Sequence, residues 1–160
     1  MKKIISILFL CILLLVSCQK KSQTTDYKTD VSVDNISAKI LENAKDVLIT
    51  EADEGYIALN IPIETSLTED YAVYISTTAN ANLIGVFKAT TEENADKILK
   101  QSKEYLQNLE DNWMSDYLPE ELPKIQNAVC EKFGRYVTFI VLDDANRDNA
   151  INDVQKLLKK

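Results

Sequence analysis

The chain has 160 residues, a formal charge of −7 and no histidine. The absence of histidine excludes Ser-His-Asp and Cys-His catalysis as well as zinc sites built on histidine. The three glycines, Gly55, Gly85 and Gly134, are too far apart for a phosphate-binding loop, and the acidic, interspersed charges argue against nucleic-acid binding.

The first seventeen residues have the pattern of a secretory signal peptide. Lys2 and Lys3 supply a positive start, and an apolar run over residues 4–16 follows. This run is shorter than the about 20 residues that a membrane-spanning helix needs. We therefore expect residues 1–17 to be cleaved as a signal peptide, which changes the formal charge from −7 to about −9.

The sequence Leu-Val-Ser-Cys at residues 15–18 predicts a lipid anchor. It resembles the lipobox of bacterial lipoproteins, in which a small residue precedes an obligatory cysteine. The resemblance implies that Cys18 carries a diacylglyceryl group and that a peptidase cuts between Ser17 and Cys18. The other early cysteine, Cys11, follows the bulky Leu10 and does not fit. We expect the mature protein to be anchored in the cell membrane through Cys18 and to face the extracytoplasmic side.

Residues 18–33 form a polar segment without apolar periodicity. We expect them to be a lipidated flexible linker that leads to a single domain over residues 34–160. After cleavage only Cys18 and Cys130 remain, so no disulfide is expected. Cys130 lies in an apolar, strand-like run and is interpreted as a small buried residue, because no histidine is present to activate its thiol.

The hydrophobic pattern of residues 34–160 predicts a helix followed by two hairpin-and-helix units. The first helix is expected over residues 34–47 with Asp34 as its cap, whereas residues 56–63 fit either a helical turn or an edge segment. The other elements are expected to be strands at 71–77 and 83–89, a helix at 92–115 capped by Thr91, strands at 127–133 and 136–142 joined by a type II′ turn at Gly134-Arg135, and a helix at 144–158.

These elements predict an α+β fold built on a single antiparallel four-stranded sheet. The order after the N-terminal helix is β-β-α-β-β-α. The helices are expected to pack mainly on one face of the sheet.

Several groups of carboxylates raise the question of cation binding or acid–base catalysis. The acidic stretch at 51–55 lacks the twelve-residue ligand spacing of a calcium loop and is expected to be a solvated turn. Neighbours in the pairs Glu110-Asp111, Glu120-Glu121 and Asp143-Asp144 point apart, and the last pair stands where a helix begins, so it is expected to cap that helix. We expect no metal site, no cofactor and no catalytic residue, and the chain is predicted not to be an enzyme.

Four residues near the end of the long predicted helix form the best candidate for a binding groove: Tyr105, Trp113, Tyr117 and Pro119. Aromatic side chains beside prolines can line a groove for sugars or peptides. The alternative is that Trp113 and Tyr117 close the end of the hydrophobic core.

The domain also resembles a known family in five segments: Tyr-Ala-Val-Tyr-Ile-Ser at 71–76, Ile-Gly-Val-Phe-Lys-Ala at 84–89, Tyr-Leu-Pro at 117–119, Gln-Asn-Ala-Val at 126–129 and Gly-Arg-Tyr-Val at 134–137. They are similar to domain of unknown function 4358, a family of small extracytoplasmic lipoproteins of low-GC Gram-positive bacteria. The resemblance covers residues 33–160 and implies no activity. Cys130 departs from it, since an aliphatic residue is expected there.

The sequence thus predicts a non-enzymatic binding or accessory module of the cell envelope. Its expected partners are the membrane, through Cys18, and an unidentified envelope protein or cell-wall component, with no nucleic acid. The alternative is a small-ligand-binding lipoprotein associated with a transporter. Such receptors normally have two lobes and longer chains, which argues against that alternative.

Overall fold

The structure is a computed structural model that describes residues 26–114 and 116–160. In this part of the chain, five antiparallel strands form one sheet and five α-helices pack against it. The α+β class is therefore confirmed. The predicted signal peptide, Cys18 and linker residues 18–25 lie outside the described residues.

The sheet has five strands, so the predicted count of four is wrong. In the order β1-β2-β3-β5-β4, its strands are β1 (Ile49–Glu51), β2 (Thr68–Ser76), β3 (Leu83–Ala89), β5 (Tyr136–Val141) and β4 (Val129–Phe133). The sequence missed β1, an edge strand paired with β2, because three residues are too few to show an alternating pattern.

The helices are α1 (Val33–Leu41), α2 (Glu54–Asn60), α3 (Glu92–Asp111), α4 (Leu122–Gln126) and α5 (Asp144–Leu158), with 3-10 turns at Thr65–Leu67 and Pro119–Glu121. Of the two alternatives left open for residues 56–63, the helical one is correct for residues 56–60, whereas residues 61–63 lie in neither a helix nor a strand.

Two helices are shorter than predicted. The α1 helix ends at Leu41 rather than 47, and its cap is Ser32, not Asp34, because the Ser32 hydroxyl accepts a hydrogen bond from the backbone N–H of Asn35 at 3.2 Å. The α3 helix ends at Asp111 rather than 115, and the side-chain amide of Asn112 donates to the carbonyl of Asn108 at 2.8 Å there. The predicted cap of α3, Thr91, is confirmed.

The helices cover both faces of the sheet, so the prediction that they pack mainly on one face is wrong. Phe87 and Phe139 point to the face covered by α2, α3 and α4. Ile84 and Ile140 point to the opposite face, which α1 and α5 cover. The central strands β3 and β5 are apolar on both faces, so each face requires its own layer of helices.

The turn between β4 and β5 has the predicted form. Gly134 has a φ of +60°, whereas Arg135 does not have a positive φ. A two-residue turn with a positive φ at its first position only is type II′.

Residues 26–32, which the sequence places in the linker, contact the domain. Tyr27 forms an isolated antiparallel bridge with Lys159. The hydroxyl of Tyr136 donates a hydrogen bond to the carbonyl of Val31 at 2.7 Å. Residues 26–32 are therefore part of the folded unit.

Candidate functional site

The four predicted groove residues occupy three different surroundings. Tyr105 is half-buried and packs against the core, with its ring centroid 5.9 Å from that of Phe139. Burial, with a smaller effect of Tyr56, raises the pKa of Tyr105 to about 12. Pro119 begins the 3-10 turn Pro119–Glu121. Only Trp113 and Tyr117 line a common cavity.

That cavity, here called the aromatic groove, lies between the β2–β3 turn and the loop after α3. Its volume is about 310 Å³. The lining residues are Ala79, Asn80, Asn112, Trp113, Met114, Tyr117 and Leu118. The groove thus contains two of the four predicted residues and also a segment that was not predicted, the β2–β3 turn.

The aromatic residues of the groove have different roles. Trp113 is half-buried, and its indole N–H donates to the carbonyl of Leu118 at 3.1 Å, which closes the loop on itself. Met114 and Tyr117 are instead 68% and 64% exposed. Trp113 therefore fixes the loop, while Met114 and Tyr117 present apolar surface to solvent.

Glu121 connects the two sides of the groove, and sequence reasoning missed this role. The carboxylate is buried and accepts a hydrogen bond from the backbone N–H of Ala81 at 2.9 Å. It also pairs with Lys124 at 3.0 Å, and Lys124 lies 3.4 Å from Asp143. Burial by itself would lower the pKa of Lys124. The hydrogen bonds that Lys124 donates to Glu121 and Asp143, together with the negative charges of these two residues, outweigh burial and raise this pKa above its ordinary value. The only signal in the sequence was the three-residue spacing of Glu121 and Lys124.

In each carboxylate pair noted in the sequence, the two side chains have different surroundings. Glu120 is exposed, whereas Glu121 is buried. Asp143 occupies the N-cap position of α5 but forms no side-chain cap hydrogen bond, because it lies beside Lys124. Its neighbour Asp144 pairs with Arg147 at 2.6 Å. Asp143 therefore occupies the predicted N-cap position, but its side chain does not form the hydrogen bond that a cap normally makes.

In the third pair, Glu110-Asp111, the two carboxylates also have different partners. Glu110 accepts a hydrogen bond from Gln126 at 3.2 Å, and Asp111 accepts one from Gln107 at 2.9 Å. Within residues 26–114 and 116–160, no group of three or more His, Cys, Asp or Glu side chains is arranged to hold a metal ion.

Cys130 is half-buried in β4 and packs against the core. Burial is the main reason that the pKa of its thiol is raised to about 11. The thiol is therefore protonated at neutral pH, which agrees with its interpretation as an apolar residue, although the side chain is half-buried rather than buried as predicted.

A larger cavity, which the sequence did not indicate, lies beside α2. Its volume is about 500 Å³, and Ile57, Glu64, Tyr71 and Gln101 are among its lining residues. The side-chain oxygen of Gln101 accepts a hydrogen bond from the backbone N–H of Glu64 at 3.1 Å, which ties this cavity wall to α3.

The residues predicted to carry the lipid anchor, Ser17 and Cys18, lie outside the described residues. Among the helices that the structure describes, none combines the length and apolarity needed to cross a membrane.

The model of one protein family, a domain of unknown function (DUF4358), matches residues 48–142. The chain belongs to this family. The matched region runs from β1 to the end of β5 and contains both sides of the aromatic groove together with Glu121, but it leaves out α1 and α5. No curated protein and no solved structure matches the chain.

Proposed function

We propose that the protein is an extracytoplasmic lipoprotein whose domain binds a partner in the cell envelope without catalysing a reaction. The lipobox-like sequence at residues 15–18 supports the anchor. The observation that carries the binding role is the exposure of Met114 and Tyr117 on a loop that Trp113 holds in place. Clustered exposed apolar side chains of this kind are typical of interaction sites.

Residues 26–32, here called the tether segment, and the aromatic groove lie at opposite ends of α3. At its start, Arg135 donates hydrogen bonds to the carbonyl of Thr90 at 3.2 Å and to that of Thr29, in the tether segment, at 3.3 Å. At its other end, Asn112 and Trp113 line the groove. Its 20 residues separate the two ends by about 30 Å.

This arrangement favours a protein or cell-wall partner over the membrane surface as the occupant of the groove. Residues 19–25 between Cys18 and the first described residue can span at most about 25 Å. A lipid on Cys18 would therefore keep the tether end of the domain within about 25 Å of the membrane, whereas the groove lies at the other end of α3.

The anchor is tested by exchanging Cys18→Ala in the full-length chain. We expect loss of labelling by radioactive palmitate and loss of the protein from the washed membrane fraction, because the acyl chains supply the membrane affinity. The matched control is Cys11→Ala, which should keep both properties. Continued labelling of the Cys18→Ala protein would contradict the anchor.

The binding role is tested by photo-crosslinking in intact cells. A benzophenone amino acid placed at Tyr117 should give a discrete crosslinked adduct of the lipoprotein. The control position is Leu59, which is 87% exposed but lies outside the groove. Equal adducts from both positions, or none from Tyr117, would contradict a partner at the groove.

One observation favours the second candidate, a small-ligand-binding lipoprotein that acts with a transporter. The cavity beside α2, at about 500 Å³, falls in the size range of small-molecule sites. A metabolite panel that raises the melting temperature of the wild-type protein, but not that of a Tyr71→Ala variant, would favour this function. A panel without any such compound would exclude it in favour of the first.

A further inference from the structure

We propose that the aromatic groove binds a segment of a partner protein in which an apolar side chain is flanked by lysine or arginine. This inference rests on the proposed binding function and specifies the chemistry of the partner. It follows from the charges around the groove, the composition of its walls and the hydrogen bonds that its polar groups already make.

The loop that forms one wall of the groove is strongly acidic. Residues 110–123 contain five carboxylates and no lysine or arginine. Glu121 is used internally, but Asp111, Asp116 and Glu120 are exposed. The groove is therefore bordered by negative charge that faces solvent, and such a border attracts a cationic partner.

The end of α3 adds to this negative potential. The carbonyl end of a helix carries a partial negative charge and is normally followed or flanked by basic residues. Here the last turn contains Glu110 and Asp111 and no basic residue. This placement is unfavourable for the helix by itself, and a cation bound at the groove would relieve it.

Two cations near this end of the domain do not supply that compensation. Lys124 is paired with Glu121 and Asp143. Arg147 is paired with Asp144 and Asp148. Each is therefore shared between two carboxylates of its own, and no lysine or arginine of residues 26–114 and 116–160 forms an ion pair with Asp111 or Asp116.

The walls of the groove favour an apolar side chain over a sugar. Asn80 donates its amide N–H to the hydroxyl of Thr78 at 2.8 Å and accepts from the backbone N–H of Asn82 at 2.9 Å. The amide nitrogen of Asn112 is also engaged, with the carbonyl of Asn108. The side-chain amide of Asn80 and the amide nitrogen of Asn112 are therefore engaged within the domain, whereas Met114 offers an adaptable apolar contact. Aromatic rings such as that of Tyr117 attract cations that flank the anchor.

The fluorescence of Trp113 gives a direct test, because it is the only tryptophan in the chain. The mature, lipid-modified protein in non-ionic detergent is titrated with the peptide Lys-Lys-Leu-Leu-Lys-Lys. The matched probes are Glu-Glu-Leu-Leu-Glu-Glu and Lys-Lys-Ser-Ser-Lys-Lys, with empty micelles as the blank. We expect a saturable change in Trp113 emission with the first peptide, a Kd at least about tenfold higher for each of the others, and weaker binding as salt is raised.

Two protein variants separate local charge from net charge. Asp111→Lys should raise the Kd of the lysine–leucine peptide by about tenfold without lowering the melting temperature, because it removes border charge yet suits the helix end. Glu92→Lys makes the same change in net charge at the other end of α3 and should leave the Kd unchanged.

Several results would overturn the inference. They are the absence of a saturable signal with the lysine–leucine peptide, equal affinity for the glutamate peptide, an equal loss of affinity in the Glu92→Lys variant, and tighter binding of soluble muropeptides at Trp113. A protein that stays in the membrane fraction and crosslinks at Tyr117, but does not bind the peptide, would refute this inference alone. Failure of the Cys18 and Tyr117 tests would refute the proposed function.

Discussion

Glu121 accepts a hydrogen bond at 2.9 Å from the backbone N–H of Ala81, which lies 40 residues earlier in the chain. This single bond fixes the 3-10 turn Pro119–Glu121 to the β2–β3 turn. The geometry of the aromatic groove therefore depends on a buried carboxylate that does not line it.

Removal of this carboxylate should destabilise the domain. In Glu121→Ala the N–H of Ala81 and the ammonium of Lys124 lose a buried acceptor, and we expect a loss of about 1–3 kcal/mol in the free energy of unfolding. Urea denaturation measures it. The neighbouring Glu120→Ala, which changes an exposed carboxylate, should stay within about 0.5 kcal/mol of wild type. Equal losses in the two variants would show that the Ala81 contact contributes nothing.

The two ends of α3 should respond oppositely to the same charge change. Asp111→Lys places a cation at the carbonyl end and should stabilise the domain by about 0.3–1 kcal/mol, whereas Glu92→Lys at the amino end should destabilise it by a similar amount. Thermal unfolding at low ionic strength measures both. Changes of the same sign would mean that the helix dipole does not govern these positions, and the argument from an unfavourable helix end would fail.

Gly85 is required by the ring of Phe139 on the neighbouring strand. The two residues are paired in the β3–β5 register, and a Cβ on Gly85 would overlap the ring atoms of Phe139. We expect Gly85→Ala to cost about 1–3 kcal/mol through overpacking. In a Phe139→Leu background the same substitution should cost much less, and a double-mutant cycle on urea denaturation curves measures the difference. Additive losses would exclude the ring as the cause.

Glu69 should give the domain a measurable sensitivity to acid. Hydrogen bonds from Arg135 and then Lys88 lower the pKa of Glu69 below its ordinary value of 4.5. Because the folded-state pKa is the lower one, the ionised carboxylate stabilises the fold above pH 4.5, and this contribution is lost as the pH falls through the folded-state pKa.

The measurement is the melting temperature of wild type and Glu69→Gln between pH 7 and pH 3. The variant should melt lower at neutral pH, and the difference should shrink as the pH falls below about 4.5. Glu131→Gln, at an exposed position of β4, is the matched control. A difference between wild type and Glu69→Gln that stays constant with pH would contradict the assignment.

The hydroxyl of Tyr136 should hold the tether segment on the domain. Tyr136→Phe removes the hydrogen bond to the carbonyl of Val31 and should lower stability by about 0.5–1.5 kcal/mol. The amide of Lys28, which donates to the carbonyl of Leu158 at 2.8 Å, should then exchange its hydrogen faster. Tyr117→Phe, at an exposed ring, should change neither quantity. Unchanged exchange at Lys28 in the Tyr136 variant would show that the segment is held by other contacts.

The elements that sequence analysis predicted well are those with a strong local pattern. The strand Leu83–Ala89 and the helix Asp144–Leu158 have the predicted bounds, since the strand is a largely apolar run after a turn and the helix begins at a recognisable Asp-Asp start. The turn at Gly134 was predictable because only one position of a type II′ turn needs a positive φ. The short strand β1 and the end of α1 could not be predicted, because short segments and helix ends depend on tertiary contacts.

The groove was only partly predictable for a related reason. Tyr105 follows the apolar stripe of α3 and therefore packs against the core, although its aromatic character made it a candidate for binding. The loop that carries Trp113 and Tyr117 is local in sequence, so these residues were found. The contact of Glu121 with Ala81 joins distant segments and has no local signal.

The bridge between Tyr27 and Lys159 also determines where probes can be attached. The backbone N–H of Lys160 donates to the carbonyl of Asp26 at 3.2 Å, so the two positions are adjacent in space. A fluorophore joined beyond Lys160 would leave the domain beside the tether and away from the groove. If the chain is anchored through Cys18 as proposed, energy transfer from such a fluorophore to a labelled lipid would report the height of the domain above the bilayer and would leave the groove uncovered.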